Sequence, residues 1–428
     1  MPLPRRYRPV HQPDLPRVVL LCPNDGALTV ARRLVRRGIE VHAFTDRRYA
    51  YVLAARGVQG RVMPDIRRHP QAWLHELAAL AADGDVPRDG VVLSGSDAAT
   101  EFLARNREDI PGSLRTFESD DGVHLALMDK YELYRHAAAA GVRTPGMWHV
   151  RSRDDLAGLA DRVRFPCILK PSMGHIAKEL VGVGTVRVES ADHLLAHADA
   201  LLAHGQDMVV TELVPGPETA LEGAVSIRDG HGRYPLEYGR HKIRQWPPDY
   251  GTGSLLESAD VPEMLALNRR LLDHVGFVGL SSCEAKRHSG TGELYLIEIN
   301  VRIPASFGLS EACGVDGAWR LYAALAGLPL DAQPAPVSGR KVMMHPDLLA
   351  AAAQLRSRPR SLGALLRSWR GTRDFGVFAL RDPRPALALA RQEWRELLDR
   401  HVGRADDPWP PRSGSSTAAG RGDRPGRP

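Results

Sequence analysis

Lysine is scarce in this chain. Of the 57 basic residues among its 428, only Lys130, Lys170, Lys178, Lys242, Lys286 and Lys341 are lysines. Where Arg serves nearly everywhere else, each retained Lys marks a candidate site for a compact ammonium. Cysteine is scarce too. Cys22, Cys167, Cys283 and Cys313 show no paired spacing, which argues against a zinc site or a disulfide framework and for a reducing compartment, the cytoplasm. No Gly-Lys dipeptide occurs, so the usual Walker A loop is excluded. After the first expected strand stands Pro23-Asn24-Asp25-Gly26 rather than Gly-x-Gly-x-x-Gly, which speaks against a dinucleotide fold. The apolar run Val18–Cys22 is too short for a signal-peptide core or a membrane span, so no membrane association is expected. The net charge of +6 is spread without a dense basic block, which favours phosphate-bearing ligands over nucleic acid.

The length allows two or three domains with their own cores. Residues 1–16 read as a flexible arm. Val18–Leu21 then reads as a buried strand, Ala27–Arg37 as a helix ending at Gly38, and Ile39–Phe44 as a second strand. Val91–Leu93, the turn Ser94-Gly95-Ser96-Asp97 and the helical Ala98–Arg107 repeat the pattern. Open α/β sheets place ligands at such strand ends, so Ser94, Ser96 and Asp97 are possible substrate contacts; helix capping explains them equally well.

The most informative stretch is Leu294-Tyr295-Leu296-Ile297-Glu298-Ile299-Asn300-Val301-Arg302-Ile303-Pro304. A period of two puts Tyr295, Ile297, Ile299 and Val301 on one face and Glu298, Asn300 and Arg302 on the other. A carboxylate and an amide oxygen suit Mg²⁺, and the guanidinium beyond them suits a phosphate or acyl oxygen. Gly279–Lys286 reads as a partner strand in a hairpin, which lets Glu284 face Glu298, although the long turn leaves the register open. Tyr238–Pro248 also alternates, so Arg240, Lys242 and Arg244 share a face, and three cations there call for anions.

Glu284…Glu298-Ile299-Asn300-Val301-Arg302 resembles the metal-binding signature of the ATP-grasp superfamily, with Val301 where Pro is usual. Three further segments are similar to that superfamily in the expected order: Asp129-Lys130 opening a helix that ends in Gly141-Val142-Arg143-Thr144-Pro145, the strand ending in Lys170-Pro171, and Glu212-Leu213-Val214-Pro215-Gly216-Pro217-Glu218. Lys242-Ile243-Arg244-Gln245-Trp246-Pro247-Pro248 resembles the branch containing D-aspartate ligase and related carboxylate–amine ligases. The likeness spans about Val18 to Gly327.

The resemblance implies an α/β (α+β) ATP-grasp fold. A Rossmann-like pre-ATP-grasp domain is expected over 17–125, a two-lobed ATP-grasp domain over 126–330 with its hinge near 212–218, a helical extension over 331–403, and a disordered tail over 404–428. It implies ATP and Mg²⁺, with Mn²⁺ as a substitute. Lys130 and Lys170 are then expected on the phosphates, Glu212, Leu213 and Val214 on adenine, and Glu218 on ribose. Glu284, Glu298 and Asn300 hold the metal. Lys242 and Arg244 meet the γ-phosphate or the acid, and Arg302 the oxyanion. After Lys170, residues 172–184 form a loop over the phosphates. The implied activity is a carboxylate–amine ligase forming an amide or peptide bond through an acyl phosphate. Its partners are a small carboxylic acid and an amine, such as an amino acid or peptide, and a homodimer is expected. A carboxylase, which lacks support from any Met-Lys carrier segment, and a non-catalytic nucleotide-binding protein are the alternatives. His193 and His197 read as solvated helix residues without a third metal ligand. Asp374-Phe375-Gly376 lacks the catalytic loop of a kinase, and Arg421-Gly422-Asp423 belongs to the composition of the tail.

Overall fold

The computed structural model describes residues 15–402, apart from 83–88, 118, 120–121, 160–161, 183, 249 and 358–361. Most of the expected arm, and the expected tail with its Arg-Gly-Asp, lie outside the described residues.

The strands β1 (Arg17–Leu21), β2 (Val41–Thr45), β3 (Val58–Val62), β4 (Gly90–Ser94) and β5 (Leu114–Arg115) form a parallel sheet in the order β3-β2-β1-β4-β5. β1 is buried throughout, as a central parallel strand covered on both faces must be. Asn24 caps the helix Asp25–Arg36 and also donates to the carbonyls of Gly95 and Ile303, at 2.7 Å each. One amide therefore ties two strand ends of the first sheet to the chain leaving the expected metal strand.

A second sheet of β6 (Met147–Val150), β7 (Cys167–Pro171), β8 (Val186–Val188) and β9 (Met208–Glu212) has the antiparallel order β6-β9-β7-β8. The third sheet contains β10 (Leu221–Arg228), β11 (Leu236–Trp246), β12 (Thr252–Ala259), β13 (Gly279–Arg287), β14 (Leu294–Asn300), β15 (Lys341–Met343) and β16 (Thr372–Asp374), ordered β14-β13-β10-β11-β12-β15-β16. The last two strands come from the region after residue 331. That region is thus not only helical: it extends the large sheet and adds the helices Asp347–Ser357, Leu362–Ser368 and Arg384–Val402. Among the described residues no helix is long and apolar enough to cross a membrane.

Two local readings change. The alternation along β14 breaks at Ile297, because a bulge lets Glu284 pair with Glu298 while Ala285 pairs with Leu296. Leu294, Leu296, Ile299 and Val301 therefore enter the core, and Tyr295 and Ile297 do not. A bulge inserts one residue and re-aims those beyond it, so Glu298 and Asn300 keep the non-core face for a reason that simple alternation missed. The expected loop after Lys170 contains the helix Gly174–Val181, closed by Gly182 at φ 68°. Ala177 is fully buried on its inner side, and Gly182 supplies the left-handed residue that ends such a helix.

Candidate active site

The three oxygen-bearing side chains expected to hold the metal meet on β13 and β14. Glu284 lies opposite Glu298, and Ser282 opposite Asn300. The register left open by the sequence is thus the one that puts both carboxylates on one patch. Asn300 Nδ2 lies 3.4 Å from a Glu298 oxygen. Glu284 is held from the other side: Arg240 Nη2 reaches Oε1 at 2.8 Å and Lys242 Nζ reaches Oε2 at 2.9 Å. Burial alone would raise the Glu284 carboxyl, but the Lys242 and Arg240 cations outweigh it and hold it below the usual carboxylate range. Arg240 also donates to Ser306 and Ser282.

The anions that the sequence seemed to require on β11 therefore come from the chain itself. Arg244 finds its own partner, Asp347, which it grips through Nε at 2.9 Å and Nη2 at 2.6 Å. Asp347 is fully buried and also accepts from Ser254 Oγ and Trp369 Nε1. Arg240 and Lys242 thus join Arg244 on the buried side of the strand, but Arg244 is committed to the C-terminal region.

Lys170, at the end of β7, crosses to the third sheet. Its ammonium donates to Tyr134 Oη at 2.9 Å and to the Ile297 carbonyl at 3.3 Å. The Tyr134 hydroxyl donates to the same carbonyl at 2.8 Å, so the oxygen released from regular pairing by the bulge becomes the anchor between two sheets. Burial pulls the Lys170 ammonium down to about 8, against the attraction of Glu298. Lys130 begins the helix Lys130–Ala139, which Asp129 caps by accepting from Tyr131 and Glu132. Its backbone N–H donates to the Ser172 carbonyl, and its ammonium lies so near Gly174 that a Cβ there would meet it at 3.3 Å.

Arg302 is aimed by Asp97, whose Oδ1 accepts from its Nε at 2.8 Å, and by the Asn300 amide oxygen at 3.1 Å. Asp97 opens the helix Asp97–Arg105, which Ser96 caps. Of the three turn residues, Ser96 is accordingly a cap, Asp97 orients the arginine, and Ser94 bonds Thr100 at 2.8 Å.

The expected adenine segment follows β9. Glu212 is exposed at its end and accepts from the Gly146 N–H at 3.1 Å, Leu213 is half-buried, and Val214 is buried. Glu218 accepts from Gln245 Nε2 on β11 at 2.7 Å and lies near enough to Lys286 to oppose the lowering of that ammonium by burial. His193 and His197 meet through their Nε2 atoms at 2.9 Å on one helix. Among the described residues no group of three His, Cys, Asp or Glu forms a metal cluster. Two carboxylates and an amide nevertheless fit Mg²⁺, which binds through one or two carboxylates and takes its remaining oxygens from phosphates and water.

Sequence reasoning missed Tyr134, Asp347, and Glu101 with His175. Only His175 carried a local signal: an imidazole within the segment 172–184 expected to cover the phosphates.

No family model matches the chain. Over 178 residues it is 25% identical to D-alanine–D-alanine ligase B of Pseudomonas syringae pv. tomato, covering 40% of this chain and 54% of that protein. The chain thus spans about half the length of this curated relative. The biotin carboxylase domain of Hydrogenobacter thermophilus 2-oxoglutarate carboxylase, solved as a dimer with MgADP, ADP and bicarbonate, superposes with a TM-score of 0.61 at 16% identity. That likeness covers 77% of this chain and 73% of the domain. The L-amino acid ligase of Bacillus licheniformis superposes with a TM-score of 0.56 at 17% identity, covering 72% of this chain and 74% of that enzyme. The chain has the ATP-grasp fold.

Proposed function

We propose that this ATP-grasp chain is an ATP- and Mg²⁺-dependent ligase that activates a small carboxylic acid as an acyl phosphate and transfers the acyl group to an amine. The observation that carries the reading is the pairing of Glu284 with Glu298, which gathers two carboxylates beside the Asn300 amide, within the field of Lys170 and next to Arg302. Phosphoryl transfer asks mainly for positioning and charge neutralisation, and the site is rich in both.

In this reading the triphosphate lies between the second and third sheets, with Lys130 and Lys170 on its phosphates. Glu212, Leu213 and Val214 meet adenine, and Glu218 meets ribose. Glu298, Asn300 and Glu284 would hold Mg²⁺, which would supply charge neutralisation for the phosphates. Lys242, 2.9 Å from Glu284, suits the γ-phosphate. Arg302, locked by Asp97, is placed for the oxyanion of the tetrahedral adduct. Arg244 orders the acid pocket together with Asp347 rather than touching phosphate. The run Lys242-Ile243-Arg244-Gln245-Trp246-Pro247-Pro248 supports a place near the D-aspartate ligase branch, with an amino acid or peptide among the substrates. We keep the domain limits at 17–125, 126–330 and 331–403 in this reading; the first sheet lies within 17–125, whereas the strands after residue 331 join the third sheet. Four buried free thiols suit a cytoplasmic protein, and we extend the dimeric state of the carboxylase neighbour to this chain.

Two expected results test the assignment. ATP turnover with Mg²⁺ and hydroxylamine, across a panel of amino acids, other acids and bicarbonate, yields a hydroxamate with ADP for at least one acid. AMP in place of ADP contradicts acyl-phosphate chemistry, and a hit confined to bicarbonate transfers the assignment to a carboxylase. Secondly, Lys170 in the free protein is a cation below pH about 8 and loses its charge above it. Nucleotide affinity therefore falls as pH rises from 7 to 9, whereas the permanently charged Lys170→Arg protein shows no such fall. Fluorescence titration with a labelled ADP measures both, and parallel profiles would remove Lys170 from the phosphate site.

A further inference from the structure

His175 stands in the helix that follows Lys170, one residue beyond the glycine that approaches the Lys130 ammonium. Its Nε2 lies 2.9 Å from Glu101 Oε2, and both side chains are largely buried. Glu101 belongs to the same helix as Asp97 and is itself gripped by Arg105 Nε at 2.8 Å. The hydrogen bond from His175, joined by that from Arg105 and acting against burial, brings the Glu101 carboxyl down to about 2. A carboxylate can only accept, so the ring must donate from Nε2. A neutral imidazole that donates from Nε2 presents a lone pair on Nδ1, and among the described residues Nδ1 has no partner. The position matters as much as the tautomer. Glu101 lies one helical turn beyond Asp97, the acid that orients Arg302, so the His175–Glu101 pair stands beside the group assigned to the acyl oxyanion. Other acid–histidine pairs do not share this setting: His149 meets Asp207 at the second sheet, and His345 meets Asp25 beneath the C-terminal helix.

We infer that His175 is the general base for the amine, with Glu101 as its positioning residue; this rests on the ligase reading. The amine nitrogen attacks the carbonyl carbon of the acyl phosphate, and a C–N bond forms. Nδ1 takes the proton released from nitrogen, Arg302 holds the oxyanion, and the C–O bond to phosphate then breaks, so phosphate leaves with the bonding pair. An orienting acid behind an imidazole whose other nitrogen keeps a free lone pair is the arrangement that makes histidine an effective base.

The test compares two nucleophiles. Hydroxylamine is largely unprotonated at neutral pH and needs no base, whereas ammonia and amino acids are largely protonated and do. Wild type and His175→Asn are assayed for hydroxamate with hydroxylamine, for amide with ammonium chloride and each amino acid, and for ADP affinity by fluorescence titration. The expected result is amide formation lower by about 10²-fold or more, with hydroxamate and ADP affinity within about 3-fold of wild type. Glu101→Gln is expected to show the same split in milder form. An equal fall of amide and hydroxamate, with weakened ADP, would assign the pair to holding the helix in place and overturn the proposal. So would unchanged amide formation, or a wild type that makes hydroxamate but no amide with any of these amines. Absence of hydroxamate from wild type would instead defeat the ligase reading itself.

Discussion

Replacing Glu298 with Ala abolishes turnover, with a loss of at least about 10²–10³-fold, the scale for removing one electrostatic stabiliser from a phosphoryl- or acyl-transfer site. The fold survives. Glu298 is only half-buried, and among the described residues its one hydrogen-bonded neighbour is the Asn300 amide at 3.4 Å, so truncation leaves no buried hydrogen-bond partner unmet. The melting curve should match wild type while ATP hydrolysis and hydroxamate formation disappear. Near-normal activity with a normal melting curve would sink the assignment of Glu298 as a metal ligand. The same change also removes the attraction that partly sustains the Lys170 ammonium, so nucleotide affinity falls with it.

The second large effect is on stability. Asp347→Ala leaves Arg244 buried without its carboxylate and deprives Ser254 and Trp369 of their acceptor. Breaking a buried pair from one side costs about 3–5 kcal/mol, because an uncompensated charge remains. Denaturant unfolding followed by Trp fluorescence is expected to show a destabilisation of that order, with Trp369 itself reporting on the region. A loss below about 1 kcal/mol would show that the site relaxes or admits water, and Arg244 would then be free to serve a substrate. Asp347→Asn keeps the shape and most of the hydrogen bonds and should lie between Ala and wild type.

These two residues show what the sequence discloses and what it hides. Glu298 was legible because a strand writes its chemistry at a spacing of two, and Glu284 because a hairpin brings its partner strand alongside. The register was not, since the bulge at Ile297 exists only in the pairing with β13. Local pattern also revealed the alternating strands and helices of the first sheet and the Lys170 strand, where apolar runs end in turn residues. Asp347 was hidden for a different reason. It lies 103 positions from Arg244, as Asp97 lies 205 from Arg302, and no spacing rule links an acid to an arginine at such range. The sequence therefore named the cations of β11 and supposed that ligands neutralise them. The fold instead supplies Glu284 and Asp347, which makes Arg240, Lys242 and Arg244 part of a prearranged charge network.

That network is useful only if phosphate chemistry takes place on it, and isotope transfer asks this directly. With the acid identified by hydroxylamine trapping, its carboxylate is labelled with ¹⁸O and the products of one ATP turnover are examined by mass spectrometry. Attack of the carboxylate on the γ-phosphorus predicts ADP and a phosphate carrying one ¹⁸O, because the oxygen joining acyl carbon to phosphorus leaves with phosphate. Unlabelled phosphate, or label appearing in AMP, would contradict the account.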